Sequence, residues 1–258
     1  MKRILITNDD GYDAPGLQAL VEALRPFGHV AVVAPTLEKS ASGHSLTLTR
    51  PLRFIEMDDD FFKLDDGTPS DCVFLALNKL YDEAHRPDLV VSGINRGANM
   101  GEDITYSGTA AAAMEAVLQG IPAVAFSQVC RGDCDGIDYT LGARTAAQIV
   151  GKIFEAGFPL PPRHFLNINI PPVAPDRSRG ICTTRVGRRA YGNHAQVHRN
   201  PRGIEYYWIG LPRLDWLPDT DGVLTDFEAI ERDCISVTPI QLDMTAHRQI
   251  DAVTQWLE

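Results

Sequence analysis

The stretch Ile4-Leu5-Ile6-Thr7-Asn8-Asp9-Asp10-Gly11 begins as a buried strand and ends in two adjacent carboxylates, a carboxamide and a glycine. A short apolar run of this kind suits a strand covered on both faces, and Asp-Gly is where such a strand turns. Adjacent acids repel, so crowding them on a turn costs stability unless solvent, hydrogen-bond donors or a hard cation with oxygen ligands offset the charge. Asp-Gly is also ordinary turn chemistry, and the octapeptide alone leaves a metal site and a plain turn equally open.

The residues that follow decide the fold. Leu17, Leu20, Val21 and Leu24 fall at i, i+3, i+4 and i+7 and predict a helix over about 14–27, and His29-Val30-Ala31-Val32-Val33-Ala34 reads as a second buried strand. Strand, helix and strand within some thirty residues make a βαβ unit, hence a parallel sheet with ligands at the strand carboxyl ends. Further along come a polar loop over 35–47, a β-rich stretch over 48–64, and a helix opened by Thr68-Pro69-Ser70-Asp71, with proline at the first position and an acid three residues after the Thr cap. A buried strand over 88–93, a Gly/Asn-rich loop over 93–108, a helix on Ala110, Ala113, Met114, Val117 and Leu118, a strand over 121–126, a helix over 139–156 and a strand over 166–170 continue the alternation.

Beyond Pro171-Pro172 the character changes to Gly-Asn and Pro-Arg-Gly turn signals and an aromatic run, Tyr206-Tyr207-Trp208, before Ile250, Val253, Thr254 and Leu257 mark a closing helix. The expected fold is α/β: a Rossmann-like, doubly wound, mostly parallel sheet with β-rich C-terminal arms and a terminal helix. The expected division is a core over 1–172 and a hairpin or oligomerisation extension over 173–258.

Composition narrows the class. The 258 residues are 44% hydrophobic and 22% charged, enough for a substantial core, and the net charge of -10 argues against broad binding to nucleic acid or an anionic membrane. No stretch approaches the roughly 20 apolar residues that span a bilayer, and Met1-Lys2-Arg3 runs straight into a strand pattern, so a cytoplasmic location is expected. Cys72, Cys130, Cys134, Cys182 and Cys234 have no CxxC spacing and fit reduced thiols, with a redox or metal role for Cys130 and Cys134 as the minor reading.

Three loops should converge on the strand ends. The first holds Asn8, Asp9 and Asp10; the second, Glu38-Lys39-Ser40-Ala41-Ser42-Gly43-His44-Ser45, offers hydroxyls, a cation and an imidazole; the third runs from Ser92 to Gly108 and carries Asn95 and Asn99 among its glycines. Glycines let backbone amides approach an anion, and Tyr106-Ser107-Gly108-Thr109 opens a helix whose free N–H groups suit phosphate, although helix capping explains Ser107 and Thr109 equally. No GxxxxGK[ST] loop and no GxGxxG after the first strand are present, which disfavours the familiar ATP and NAD sites. His194 and His198 are four apart, yet Gly192-Asn193 and Asn200-Pro201 point to a hairpin rather than a zinc-binding helix, so a structural or substrate-side role is expected.

Taken together and in order, these motifs resemble the SurE (survival protein E) family of metal-dependent 5′/3′-nucleotidases over nearly the whole chain. The carriers are Ile6 to Gly11 with Ala14-Pro15-Gly16, Ala34-Pro35 through Ser40-Ala41-Ser42-Gly43, Gly67 to Val73, Ser92 to Asn99, Tyr106 to Thr109, and Leu166-Asn167-Ile168-Asn169. The resemblance implies that Asp9, Asp10, Ser40 and Asn95 ligate one divalent cation per subunit. It also implies a C-terminal region exchanged between subunits, dimers or tetramers, and nucleoside monophosphates as substrates. An oxygen shell with two carboxylates favours Mn2+ or Mg2+ over zinc.

The mechanism expected is phosphomonoester hydrolysis by a metal-activated water, with Asp9, Asp10 and Asn95 in the catalytic set. Ser107, Gly108 and Thr109 would hold the phosphate, with Asn8, Ser42, Gly43 and Asn99 as further contacts. A covalent route through Asp9 or Asp10 is disfavoured by the lack of an Asp-x-Asp-x-Thr pattern. The rival readings are exopolyphosphate hydrolysis and a nucleotide-binding stress sensor with little turnover.

Overall fold

The computed structural model describes the chain except residues 133, 192–194, 210–214 and 219–221. Its first part alternates as β1 (Arg3–Thr7), α1 (Pro15–Leu24), β2 (His29–Pro35), β3 (Arg53–Asp58), β4 (Phe61–Asp65), α2 (Pro69–Lys79), β5 (Leu89–Arg96), α3 (Gly108–Leu118), β6 (Ala123–Gln128), α4 (Thr140–Ala156) and β7 (His164–Ile170). After it come β8 (Ile181–Thr183), β9 (Arg188–Arg189), β10 (Ala195–Arg199), β11 (Glu205–Ile209), β12 (Trp216–Leu217), α5 (Asp226–Glu231), β13 (Ile235–Gln241) and α6 (Ile250–Leu257).

One nine-stranded sheet runs in the order β3-β4-β2-β1-β5-β6-β7-β13-β8. From β4 to β7 every neighbouring pair is parallel, while β3 and β13 pair antiparallel with β4 and β7. The chain leaves β1 toward β2 and later returns to its other side with β5, so strand order reverses at β1 and opens a crevice at the strand carboxyl ends.

The strand alternation sorts side chains into two cores. Ile4, Ile6, Val32, Ala34, Leu89 and Val91 face Leu17, Leu20, Val21 and Leu24 of α1 and Leu141, Val150 and Ile153 of α4. Leu5, Val33, Val90 and Ala125 face Val73, Ala76 and Leu77 of α2 and the alanines of α3. Because both faces are covered, the strands read as continuous apolar runs, which is why they were legible without alternation.

The helix starts follow the expected chemistry. Thr68 and Asp71 form a capping box at α2 with Pro69 in first place, and the Ser107 hydroxyl accepts from Ala110 N at α3. Two boundaries move: β5 runs on to Arg96 and β6 to Gln128, because parallel pairing continues through Asn95 opposite Ser127 and Arg96 opposite Gln128. Asn95 therefore stands at the end of a strand rather than in a free loop.

Past Pro172, β13 and β8 complete the main sheet, β10 and β11 form an exposed antiparallel hairpin, and α5 adds a short helix that the sequence pattern did not announce. Its first residue ties this part to the core. The wholly buried Asp226 carboxylate accepts from Gly101 N and Gly187 N, each at 2.9 Å, and from its neighbour Phe227 N. Burial pushes this carboxyl above the usual carboxylate range, and the three amides counteract that.

Asp226→Ala leaves those buried donors unpartnered and is expected to cost about 2–5 kcal/mol in urea unfolding. A loss below about 1 kcal/mol would mean that water replaces the carboxylate there and that the tie is not structural.

Candidate functional site

Asp9 leaves β1 directly beneath the first turn of α3. Its carboxylate accepts from the Thr109 hydroxyl at 2.5 Å and from Thr109 N at 3.1 Å, and the side chain is almost wholly buried. Gly108 is what lets the turn come so close. A Cβ there would lie 2.8 Å from both Cβ and Oδ2 of Asp9 and 3.0 Å from the Ser42 hydroxyl, which real packing does not allow.

Asp10 points toward β5, where its carboxylate accepts from Arg96 N at 2.9 Å. The second loop closes over both acids. Lys39 N donates to the Asp9 carbonyl at 2.7 Å, Gly43 N to the Tyr106 carbonyl at 2.9 Å, and the Ser40 hydroxyl to Glu38 at 2.6 Å. The loop is strapped further along by His44 to Glu115 at 2.9 Å and by Thr47 to Asp71. The three loops thus meet at the carboxyl ends of β1, β2 and β5, with the turn into α3.

Burial dominates the electrostatics of the two acids. Burial raises the Asp9 carboxyl to about 6, the Thr109 hydroxyl pulls against that, and neighbouring Asp10 raises it further. Burial likewise lifts Asp10, against the Arg96 amide and guanidinium. Two further groups are unpaired: Asn8 Oδ1 and the Ser42 hydroxyl are buried with no hydrogen-bond partner among the described residues, although Asn8 Nδ2 holds the Gly11 carbonyl at 2.8 Å. Such atoms are expensive to bury unless a ligand engages them.

These residues fit a hard divalent cation. Two carboxylates lie beside neutral oxygens: the Ser40 hydroxyl keeps its lone pairs while donating to Glu38, and Asn95, largely buried, donates its Nδ2 to the Gly97 carbonyl at 3.0 Å, which leaves Oδ1 for another partner. Among the described residues no three or more His, Cys, Asp or Glu side chains gather as a group that could hold a metal ion.

At α3 the chemistry is partly committed already. Thr109 N and hydroxyl serve Asp9, and Ala110 N serves Ser107. The Gly108 amide and the hydroxyls of Ser107 and Ser42 are left as donors to an anion. Asn99 is engaged elsewhere: its N–H donates to Asn169 Oδ1, its Nδ2 to the Ser127 hydroxyl at 2.8 Å, and its carbonyl accepts from Asn167 and Asn169. Asn167 and Asn169, quoted above for the resemblance, thereby hold the third loop onto β7. His198 lies on the exposed β10, and His194 falls outside the described residues.

Sequence reading missed the wall of the site. A cavity of about 390 Å3 adjoins Asp10 and is lined also by Asp13, Arg96, Ile137 and Tyr139 among others. Arg96 both donates its amide to Asp10 and reaches Glu38 at 3.4 Å. Its place beside Asn95 was the only available signal. Cys134 also lines this cavity and is joined to Cys130 in a disulfide with Cα atoms 5.5 Å apart. This corrects the expectation of reduced thiols for that pair: a four-residue spacing on a tight loop brings the two Cα atoms within bridging range.

The fold and these side chains define a doubly wound α/β protein with an oxygen-rich acidic site at the strand carboxyl ends, where this architecture places its ligands. The family model described as Survival protein SurE matches residues 4–193, and the chain belongs to the SurE family. A protein of a Sulfurovum species named 5′-nucleotidase SurE is 61% identical over 99% of this chain and 98% of its own length, and one of a Nitratiruptor species with the same name is 53% identical over the whole of both. The crystal structure of the SurE protein from Aquifex aeolicus superposes with a TM-score of 0.85 at 41% identity, covering 99% of this chain and 100% of that one.

The raised Asp9 carboxyl sets a pH dependence. With cations removed by EDTA, the native state keeps its Asp9 proton between the ordinary value of 3.8 and about 6, where the unfolded chain has lost it. Stability therefore falls as pH rises through that window, by at most roughly 3 kcal/mol from this group. Urea unfolding from pH 4 to 7 should show the fall in the native sequence and a flatter profile in Asp9→Asn, whose amide can still pair with Thr109. Parallel profiles for the two would refute the assignment.

Proposed function

We propose that the chain is a metal-dependent 5′-nucleotidase, a phosphomonoesterase that converts nucleoside 5′-monophosphates, and also 3′-monophosphates, to nucleoside and phosphate. The observation that carries this reading is the buried Asp9, pinned by Thr109 at the start of α3 beside Asp10, which lines a cavity of about 390 Å3. The names of the relatives, 5′-nucleotidase SurE at 61% and 53% identity, agree with it.

In this reading Asp9, Asp10, Ser40 and Asn95 hold one Mn2+ or Mg2+. When bound, the cation supplies Lewis acidity toward the phosphoryl group and makes a water more acidic. The chain's own groups do the rest. Thr109 fixes the Asp9 carboxylate through two hydrogen bonds, and the Arg96 amide fixes Asp10, so both acids face the site in one arrangement. The Gly108 amide and the Ser42 and Ser107 hydroxyls donate to the phosphate and to the negative charge that grows on it during transfer. They do so at the positive end of an eleven-residue helix. Asn8 and Gly43 support the same pocket, and Asn99 acts by holding the third loop in place. The adjoining cavity, with Tyr139 on its wall, receives the nucleoside.

The extension over 173–258 serves oligomerisation, as a homodimer or homotetramer. In support, Tyr206, Tyr207 and Trp208 of its hairpin stand exposed to solvent. The protein works in the cytoplasm. Among the described residues no helix is long and apolar enough to cross a membrane.

The deciding experiment is phosphate release from a panel of nucleoside 5′- and 3′-monophosphates, with polyphosphate alongside, in Mn2+, Mg2+ or EDTA. Release that needs the cation and falls at least about 100-fold in Asp9→Asn is expected, with a loss of about tenfold in kcat/KM for Ser42→Ala. Folded protein that releases no phosphate with either metal would overturn the enzyme reading in favour of a nucleotide-binding role.

A further inference from the structure

α3 carries a single charged residue, Glu115, among its alanines. The Glu115 side chain is almost wholly buried, where an unpaired carboxylate would be expensive. Both of its oxygens are served: His44 Nε2 lies 2.9 Å from Oε2, and Gln119 Nε2 donates to Oε1 at 2.9 Å. Burial disfavours the Glu115 charge, but the His44 and Gln119 hydrogen bonds outweigh it and hold the carboxyl below its usual range. A carboxylate only accepts, so His44 Nε2 carries the proton of this bond.

Gly108 and Glu115 are i and i+7 on α3, two turns apart on one face and roughly 10 Å along the axis. The second loop lies along that face. At the near end the Ser42 hydroxyl stands 3.0 Å from where a Gly108 Cβ would be, and at the far end His44 grips Glu115. Between them Gly43, in the left-handed conformation at φ +56°, donates its N–H to the Tyr106 carbonyl at 2.9 Å.

The Ser42 hydroxyl has no hydrogen-bond partner among the described residues, so the backbone on either side sets its place. Ser42 N donates to the Lys39 carbonyl at 3.2 Å, the Ser45 hydroxyl donates to the Ser42 carbonyl at 3.0 Å, and the Thr68 hydroxyl donates to the Ser45 carbonyl at 2.8 Å. Those bonds tie the loop to itself and to the cap of α2. His44 ties it to the body of α3.

We propose that His44 is a positioning residue for phosphate binding: by gripping Glu115 it sets how Ser42 and Gly43 lie over the first turn of α3, and so where the Ser42 hydroxyl points. This deepens the nucleotidase reading above and rests on its assignment of Ser42 as a donor to the phosphate. In this role His44 touches neither substrate nor cation and acts through Ser42. The cation side of the loop is held separately, with Lys39 N on the Asp9 carbonyl at 2.7 Å and the Ser40 hydroxyl on Glu38 at 2.6 Å, so loss of His44 spares it.

The test is a double-mutant cycle on the full-length protein in Mn2+, comparing the native sequence, His44→Ala, Ser42→Ala and the double variant. It reads kcat and KM for the best-hydrolysed nucleoside monophosphate, and Kd for inorganic phosphate and for Mn2+ by calorimetry. His44→Ala is expected to raise KM and the phosphate Kd about fivefold, with kcat and the Mn2+ Kd within about twofold of native. The double variant should bind phosphate within about twofold of Ser42→Ala alone, because the two residues act as a unit. His44→Gln, whose side-chain amide can donate to the same carboxylate, should recover most of the loss. If His44→Ala does not fold, Glu115→Gln takes its place in the cycle: it keeps the shape, weakens a charge-assisted bond to a neutral one and should raise both values about twofold.

A native phosphate Kd in the variant that breaks the pair, losses that multiply in the double variant, or a loss confined to Mn2+ affinity would each overturn the proposal. Native protein that binds phosphate but hydrolyses no nucleotide ends the enzyme reading alone, and the cycle is then read in the phosphate Kd. Native protein that binds no phosphate overturns both.

Discussion

Two carboxylates side by side at the end of a buried strand are the constraint around which the rest of the site is built. A fully solvated Asp-Asp turn would need no support. Here Asp9 is sealed under α3, and its carboxyl is displaced to about 6 by burial and by its neighbour. The fold answers with hydrogen bonds of limited number: two from Thr109 to Asp9 and one from the Arg96 amide to Asp10. They orient the acids without neutralising them. That is the condition of a carboxylate pair whose orientation, and its electrostatic cost, are set by folding.

The same constraint explains residues that have no chemistry of their own. Gly108 must lack a side chain because Asp9 and Ser42 occupy the space a Cβ would need. α3 is built largely of buried alanines, and small side chains let it lie close to the sheet so that its first turn reaches the end of β1. Asn99, Asn167 and Asn169 form an amide network that fastens the third loop to β7, near where Asn95 and Arg96 pair with Ser127 and Gln128.

The sequence was most legible where local and global signals agreed. The apolar runs of β1, β2 and β5 and the Thr68–Asp71 capping box announce themselves because burial on both faces and helix capping impose residue types directly. The convergence of Asp9, Ser42 and Gly108 followed from parallel topology, since strand ends on one edge of a doubly wound sheet must lie together. What escaped was contact through backbone or across long separation. Arg96 meets Asp10 through its amide, which no side-chain pattern encodes, and α5 is six residues long, too short to display a period, although its Thr225–Glu228 capping box was there to be read. Asp226 holds an amide 125 residues away, a relation that only the folded chain displays.

That distant tie bears on how the extension relates to the site. The short helical turn Gly101–Thr105 lies between the third loop and α3; Ile104 packs into the core, and several of the turn's polar groups are held from beyond Pro172. Asp226 takes Gly101 N, Glu102 takes Arg189 N at 2.6 Å, and Asp103 pairs with the buried Arg189 guanidinium at 3.0 Å and accepts from the Tyr191 hydroxyl. A buried ion pair of this sort contributes geometry more dependably than stability, because desolvation consumes most of its Coulomb energy. The next residues after the turn are Tyr106, whose carbonyl accepts from Gly43 N, and the start of α3, where Thr109 holds Asp9. The contacts from beyond Pro172 thus fall on the residues that lead directly into the first turn of α3. The part of the chain that looked like an appendage in sequence is the outer wall against which the first turn of α3 is braced.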